Sequence, residues 1–346
     1  MSPADERILD DFDRGVPRGL ARAISRAESG AGADLSRAVF SRTGRAMTIG
    51  LTGPPGVGKS TLCSELVKAA RLEGKTVGVI SVDPSSPFSH GAILGDRIRL
   101  TEHFTDPDVF IRSMASRGHL GGLAGATGDA VAFMDAFGKD VVIVETVGVG
   151  QSEIEIAELA DTTLVALQPG SGDSVQLLKA GILEVADVFV VNKADHPMAL
   201  QLKREIRSMM EMLEFSGWVP ELVATRAREG VGVDELWAAI RRHRAYLEST
   251  GDLAARRGAA FAHRVRSLVM GELGRRVDAR IEDELGRRVD ARIEGARNDV
   301  SGDPYVAAAR LIEDVAQPVA HTTDGAEPRP AVRSRLRARV KGLNGA

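Results

Sequence analysis

The segment Gly53-Pro54-Pro55-Gly56-Val57-Gly58-Lys59-Ser60 matches the phosphate-binding pattern G-x-x-x-x-G-K-S and is followed by Thr61. An apolar run precedes it and a helical pattern follows it, which is the context that this pattern needs. Glycines let backbone N–H groups surround a β-phosphate, and the helix N-terminus adds positive potential. Lys59 would then bridge the β- and γ-phosphates, and the Ser60 hydroxyl would bind Mg²⁺. The segment therefore predicts a site for a nucleoside triphosphate with magnesium.

An acidic residue ends a second apolar run, Val141–Glu145, and Gly148 follows it. Such an acid holds magnesium or its water shell in phosphate-loop proteins, and the Gly148 N–H would contact the γ-phosphate. Glutamate stands here where aspartate is commoner, so its longer side chain would act through water or when a switch segment closes. The alternative is that Glu145 only caps the strand.

A third motif, Asn192-Lys193-Ala194-Asp195, follows another apolar run. The Asp195 carboxylate can accept hydrogen bonds from N1–H and the 2-amino group of guanine, which adenine does not offer. The Lys193 stem would lie over the base, and Asn192 would hold neighbouring backbone. The segment Thr225-Arg226-Ala227 lies where a further base-contacting loop belongs, with a backbone N–H toward guanine O6, although an arginine replaces the usual small residue. These positions predict guanine rather than adenine.

Short runs rich in Val and Ile alternate with amphipathic stretches between residues 46 and 250. This texture is typical of parallel strands that are covered on both faces. It predicts an α/β fold with a doubly wound, mostly parallel sheet, and helices such as Ser60–Glu73 and Met198–Leu213 between the strands. The predicted strands are Met47–Leu51, Thr76–Val82, Val109–Met114, Asp140–Val144, Thr162–Leu167, Asp187–Val191 and Glu221–Ala224.

The sheet domain is flanked by segments of different texture. Residues 1–45 predict a helical N-terminal extension, 251–317 a helical arm, and 318–346 a flexible tail. Within the arm, ELGRRVDARIED at Glu272–Asp283 recurs as ELGRRVDARIEG at Glu284–Gly295. On a helix, the second copy is rotated by roughly 120° about the axis relative to the first. The apolar residues of the two copies therefore cannot form one continuous stripe that faces one partner. The repeat indicates either a tolerated duplication in an exposed arm or a functional lengthening of it.

Composition excludes several classes of protein. The chain has 346 residues, a formal net charge of −3 at pH 7 and one cysteine, Cys63. It therefore has no internal disulfide and no cysteine-rich metal site, and no general attraction to nucleic acid or anionic lipid. No apolar stretch approaches the ~20 residues of a membrane span, and the acidic start has no signal or transit pattern. We expect a cytoplasmic protein that binds neither nucleic acid nor membrane.

Further segments make the pattern specific: Ser81–Phe88, Gly91–Arg99, Arg112–Gly122 and Glu145–Gln151. Together with the three nucleotide motifs, they resemble the MeaB/MMAA/ArgK family of P-loop GTPases, of the SIMIBI class. Members of this family are chaperones of adenosylcobalamin-dependent methylmalonyl-CoA mutase. The resemblance runs from about Leu20 to Leu311, where Asp303–Ala308 resembles the closing helix of the family. The repeat and the tail fall outside it.

The resemblance implies a GTPase that gates cofactor loading of a mutase and protects or reactivates that enzyme. It implies a magnesium shell in which Asp83, Asp96 and Glu145 join Ser60, with these acids and Lys59 serving catalysis. It also implies a homodimer joined through the C-terminal arm. The implied partners are methylmalonyl-CoA mutase or a related mutase and, in addition, the cobalamin adenosyltransferase. The chain lacks the cobalamin-binding pattern Asp-x-His-x-x-Gly, so a partner would hold the cobalamin.

The segment Gln168–Lys179 resembles an additional switch of the family, which responds when the mutase docks. The residues that the resemblance assigns to this partner switch are Gln168, Asp173, Gln176 and Lys179. For Gln176 and Lys179 the alternative is an ordinary solvated helix face.

Two other functions compete with this hypothesis. An ATP-dependent kinase or transport-linked ATPase would use the same phosphate motif, but Asp195 would then face the acceptor N1 of adenine. Metal delivery, which related GTPases perform, is disfavoured because the chain has no His-rich tract and no Cys-x-x-Cys motif. No glutamine other than the weak candidate Gln151 is placed to orient water, so we expect slow intrinsic hydrolysis that a partner assists.

Overall fold

The computed structural model describes residues 1–84, 97–116, 124–146, 152–172, 174, 182–213, 215 and 217–296. Only the backbone is described for 83–84, 97–99, 115–116, 124–125, 152–155, 183, 275 and 278–296. The chain divides into two compact units, Met1–Gly274 and Arg275–Ala346. All contacts reported below lie within the first unit.

The described part of the first unit contains one seven-stranded sheet, in which every pairing is parallel. Its order is β3-β2-β4-β1-β5-β6-β7. The strands are β1 (Met47–Thr52), β2 (Val77–Pro84), β3 (Val109–Ser116), β4 (Val141–Thr146), β5 (Thr162–Leu167), β6 (Val188–Val191) and β7 (Glu221–Ala224). The predicted strands and the parallel, doubly wound α/β sheet are therefore confirmed, with strand ends moved by one or two residues.

The described α-helices connect these strands and extend beyond them. They are α1 (Pro3–Asp13), α2 (Pro17–Glu28), α3 (Ala33–Val39), α4 (Lys59–Leu72), α5 (Ala124–Ala136), α6 (Ser152–Leu159), α7 (Ala199–Glu211), α8 (Val233–Thr250) and α9 (Asp252–Ala296). Short 3-10 helices lie at Phe40–Arg42, Arg97–His103, Ile182–Glu184 and Ala227–Glu229. No helix among the described residues combines the length and the apolar character that crossing a bilayer requires.

Alternate residues of each strand face opposite layers of helices. On β4, Val141 and Ile143 join the core that α4 and α8 cover. Val142 and Val144 point to the other face and join the core of α1 to α3, α5 and α6. Burial on both faces explains why the strands are continuous apolar runs instead of alternating ones. The helices of residues 1–45 thus share one core with this face of the sheet, and α2 packs against β3. The predicted division of the chain into four segments stays a prediction.

A charged network closes the edge of the sheet at which the strands begin. Asp161 precedes β5 and accepts a hydrogen bond from Thr48 N at 3.0 Å. Asp187 precedes β6 and accepts one from Thr163 N at 2.8 Å. Arg257 on α9 donates to Asp161 Oδ1 and Oδ2 at 2.8 and 2.7 Å, and the adjacent Arg256 pairs in the same way with Asp187. These pairs hold the start of α9 to the sheet, at the edge opposite the one where the nucleotide motifs lie.

Candidate nucleotide-binding site

The strand ends gather the predicted motifs at one edge of the sheet. Leu51 of β1 pairs with Glu145 of β4, and Leu167 of β5 pairs with Val191 of β6. Val191 in turn pairs with Ala224 of β7. Because the strands are parallel, the loops that follow β1, β5, β6 and β7 leave the sheet on the same side, which is where open α/β sheets bind ligands.

The glycine-rich segment forms the loop between β1 and α4. Gly58, at the N-terminal cap of α4, has φ 94°, and a Cβ there would lie 2.7 Å from Asn192 Nδ2. Gly53 has φ 141°, and a Cβ there would lie 2.1 Å from the carbonyl oxygen of Ala166. Any larger residue at either position would therefore strain the backbone and collide with β5 or with the third motif.

Lys59 lies across this loop instead of pointing to solvent. Its Nζ donates to the carbonyl oxygens of Gly53 at 2.7 Å and Pro54 at 3.0 Å, and the residue is buried. The ammonium group is thus held beside the backbone N–H groups that begin α4, where the helix dipole also favours an anion. This arrangement can bind the phosphates of a nucleotide.

Ser60 and Glu145 bring the first and second motifs into contact. Ser60 Oγ donates to Glu145 Oε1 at 2.7 Å, and both residues are buried. A hydroxyl and a carboxylate are oxygen donors of the kind that Mg²⁺ prefers. The two residues therefore fit a magnesium ion that would also bind phosphate oxygens.

The charge of Glu145 acts on a neighbouring thiol. Burial raises the pKa of Cys63 well above its ordinary value, and the negative Glu145 adds to the shift. Cys63 lies one turn after Ser60 on α4 and is fully buried. The thiol therefore stays protonated at neutral pH and acts as a packing residue of the helix.

Asn192 links the third motif to the phosphate loop and to the last loop. It is 3% exposed, and its Nδ2 donates to the carbonyl oxygen of Val57 at 2.8 Å. Its Oδ1 accepts from Thr225 Oγ1 at 3.0 Å and from Ala227 N at 3.1 Å. One buried amide thus ties three loops together.

Lys193 and Asp195 lie on the solvent side of this junction. Lys193 Nζ donates to the carbonyl oxygen of Gly56 at 2.8 Å and to Gln168 Oε1 at 2.6 Å. Asp195 is exposed and lines the cavity described below. Its carboxylate is therefore open to a base that enters from solvent.

The loop after β7 uses its backbone N–H groups within the protein. Thr225 N donates to the carbonyl oxygen of Val191 and Arg226 N to that of Val231, both at 2.9 Å. Ala227 N donates to Asn192, as described above. The Arg226 guanidinium pairs with Glu229 at 2.7 Å. A contact from the N–H group of Thr225, Arg226 or Ala227 to guanine O6 would need one of these bonds to exchange, and that contact stays a prediction.

A cavity of about 970 Å³ joins the three motifs. Residues of the phosphate loop form one end, Glu145 lies beside Lys59 and Ser60, and the base-reading loops form the rest. Three of the lining residues were not predicted from the sequence: His196, Arg228 and Glu229. None of the three belongs to a nucleotide-binding motif. The signal in the sequence that could have indicated them is that they lie close to Asp195 and Ala227.

Several predicted residues cannot be placed. Asp83 lies near the end of β2, but only its backbone is described, and Asp96, Gly148 and Gln151 lie outside the described residues. The same holds for Asp173, Gln176 and Lys179 of the predicted switch. Gln168 is placed, and it contacts Lys193 of the third motif.

The class of P-loop nucleotide-binding proteins is defined by a glycine-rich loop between a central parallel strand and a helix. An acid at the end of the neighbouring strand in the sheet, here Glu145 of β4, completes the pattern. The model of the family described as "Methylmalonyl Co-A mutase-associated GTPase MeaB" matches residues 20–282. The chain belongs to this family of GTPases, and the resemblance found in the sequence is confirmed.

Individual relatives agree with this family. A putative GTPase of Pyrococcus horikoshii is 46% identical over 289 residues, covering 81% of this chain and 90% of the relative. The mouse protein named methylmalonic aciduria type A homolog, mitochondrial, is 33% identical, covering 74% of this chain and 68% of its own length. A solved structure titled LAO/AO transport system kinase has a TM-score of 0.64 and 26% identity, covering 92% of this chain and 99% of that one.

Proposed function

We propose that this chain hydrolyses GTP as a chaperone of an adenosylcobalamin-dependent acyl-CoA mutase, gating the loading of cofactor and protecting or reactivating the mutase. The observation that carries the proposal is one cavity lined by both a phosphate loop and an Asn-Lys-x-Asp loop, in a chain of a mutase-associated family. The name of the mouse relative also supports a partner in methylmalonyl-CoA metabolism. The adenosyltransferase as a further partner, and a cytoplasmic location, stay predictions.

The proposed catalytic groups surround the phosphate end of the cavity. Lys59 would bind the β- and γ-phosphates, and Ser60 with Glu145 would hold magnesium, joined by Asp83 near the end of β2 and by Asp96. Bound magnesium would neutralise charge on the phosphates. Gly148 would sense the γ-phosphate. Catalysis then consists of positioning and charge neutralisation, and a docked partner would order the remaining groups.

Base recognition is assigned to Asp195. Its carboxylate would accept from N1–H and the 2-amino group of guanine. Asp195→Asn should move the preference from GTP toward XTP, because the amide can donate to the 2-oxo group of xanthine. Hydrolysis of GTP, XTP and ATP by the purified chain measures this. Glu229→Gln, at another carboxylate of the same cavity, is the control and should keep the preference for GTP. An Asp195→Asn variant that still prefers GTP by a similar margin, or a native chain that prefers ATP, would contradict the assignment.

Communication with the mutase is assigned to the segment Gln168–Lys179. In a helical stretch, Gln176 and Lys179 would share a face and act together. The double variant Gln176→Ala/Lys179→Ala should keep basal phosphate release and lower the mutase-stimulated rate at least about tenfold, or ~1.4 kcal/mol in barrier. The matched control is Gln201→Ala/Lys203→Ala on α7, which should change neither rate. Equal loss with and without mutase would place the two residues in the intrinsic site, and no loss would return them to a solvated face.

Self-association is assigned to α9. Val265, Val269 and Leu273 recur at helical spacing and are 43%, 51% and 51% exposed, so they form an apolar stripe. We propose that a second copy of the chain covers it. Val269→Glu should lower the mass measured by sedimentation, whereas Leu72→Glu, at an exposed apolar residue of α4, should not. An unchanged dimer in Val269→Glu would remove the stripe from the interface.

A further inference from the structure

Lys193 has an unusual backbone conformation at the mouth of the cavity. Its φ is 54°, and among the described residues it is the non-glycine residue with a positive φ. Residues other than glycine rarely adopt this left-handed backbone conformation unless the surrounding structure stabilises it. The Lys193 ammonium group is bound by two acceptors: the carbonyl oxygen of Gly56 lies at 2.8 Å and Gln168 Oε1 at 2.6 Å.

Gln168 is suited to this contact by chemistry and by position. A lysine ammonium only donates hydrogen bonds, so the Gln168 amide must present its oxygen to Lys193. Gln168 directly follows β5, and Lys193 is the second residue after β6. The two strand ends are joined where Asn192 N donates to the carbonyl oxygen of Leu167 at 2.9 Å. The parallel pairing of β5 with β6 therefore brings the two side chains together.

The backbone of Gln168 is itself fixed. Ser174 Oγ donates to the carbonyl oxygen of Gln168 at 3.1 Å, and Gln168 N lies 3.3 Å from the same hydroxyl. Ser174 is 1% exposed, so the hydroxyl group that binds the Gln168 backbone is buried. The amide that meets Lys193 is thus carried by an ordered backbone, whereas Lys193 itself is exposed.

We infer that Gln168 is a positioning residue of the guanine site: its side-chain oxygen, opposite the Gly56 carbonyl, fixes the Lys193 ammonium so that the lysine stem forms a flat surface for the base. This inference rests on the proposed guanine site and adds a residue that the nucleotide motifs do not contain. It gives Gln168 a role in nucleotide binding that does not depend on a docked partner. Gln168 acts on the base only through Lys193, and the phosphate end of the cavity does not need it.

The test distinguishes an effect on binding of the base from an effect on binding of the phosphates. Isothermal titration with GDP and with inorganic triphosphate, both with magnesium, compares the native chain with Gln168→Ala. We expect GDP to bind about tenfold more weakly, which corresponds to ~1.4 kcal/mol, and triphosphate to bind as before. Gln168→Glu keeps an oxygen acceptor and should restore GDP affinity to within about twofold. The matched control, Gln201→Ala on exposed α7, should bind both ligands as the native chain does.

A double-mutant cycle identifies the residue through which Gln168 acts. In a Lys193→Ala background, Gln168→Ala should weaken GDP binding no further, because the group that it positions is gone. Additive losses would overturn the inference, as would unchanged GDP affinity in Gln168→Ala or an equal loss of GDP and triphosphate affinity. If Lys193→Ala itself leaves GDP affinity unchanged, the guanine site fails together with the role of Gln168.

Discussion

Replacing Asn192 by alanine should destabilise the protein by an amount that its contacts set. The side chain makes three hydrogen bonds, to the Val57 carbonyl oxygen, Thr225 Oγ1 and Ala227 N, at 2.8 to 3.1 Å. Each such bond contributes about 1 kcal/mol net, so Asn192→Ala should lower the free energy of unfolding by about 3 kcal/mol. With roughly 2–4 °C per kcal/mol for a domain of this size, the Tm should fall by about 6–12 °C.

Thr225→Val supplies the graded control. It removes one of the three bonds, while Asn192 Oδ1 still accepts from Ala227 N. We expect a loss of about 1 kcal/mol from Thr225→Val, measured by urea denaturation of the nucleotide-free protein. GDP affinity should fall at least about tenfold in Asn192→Ala, since the phosphate loop and the base loop lose their common anchor. If the two variants lose the same stability, Asn192 does not act as a three-way junction and the reasoning fails.

Two further predictions concern buried charged and titratable groups outside the nucleotide site. Arg257→Ala removes both bonds from Arg257 to buried Asp161 and its donations to the carbonyl oxygens of Gly44 and Ala46. Arg244 still pairs with the Asp161 carboxylate at 2.9 Å. The free energy of unfolding should fall by about 2 kcal/mol at unchanged GDP affinity, with exposed Arg266→Ala as the control. Burial lowers the pKa of His243 and of His103, so the fold favours the neutral rings. Their contribution to stability is complete above the unfolded pKa of about 6.5 and is lost as the pH falls through that value toward the folded pKa. In the double variant His103→Gln/His243→Gln, the urea midpoint should therefore depend less on pH between about pH 5 and 7 than it does in the native chain. An unchanged slope of the midpoint against pH in that range would contradict this.

The sheet could be predicted from the sequence because its signal is local. Strands buried on both faces must be continuous apolar runs, and runs such as Thr162–Leu167 have no other explanation once helical patterns surround them. The phosphate loop was predictable for a similar reason. Gly53 and Gly58 lie so close to neighbouring atoms that a residue with a Cβ would collide with them. In both cases the residue type alone indicates the local structure: apolar residues indicate a buried strand, and glycines indicate a tight loop.

The contacts that complete the site could not be predicted, because they join residues that are distant in sequence. Nothing in the segment around Gln168 indicates that its amide meets Lys193, since that contact depends on the pairing of β5 with β6. The same is true of Asp161 and Asp187, which are ordinary acids in the sequence and become anchors for α9 only through the fold. The core that α1 to α3 share with one face of the sheet also depends on long-range burial and not on any local pattern.

Two hydrogen bonds join the proposed base-reading loop to the phosphate loop. Asn192 and Lys193 are consecutive, and they donate to the carbonyl oxygens of Val57 and Gly56, which are also consecutive. A shift of the base loop would therefore break two bonds of the phosphate loop at once, and a shift of the phosphate loop would displace both base-loop residues. Preorganisation of this kind lowers the ordering cost of binding a whole nucleotide. A ligand with only the base or only the phosphates would use one half of this surface, so we expect a guanine nucleotide to bind more tightly than either fragment.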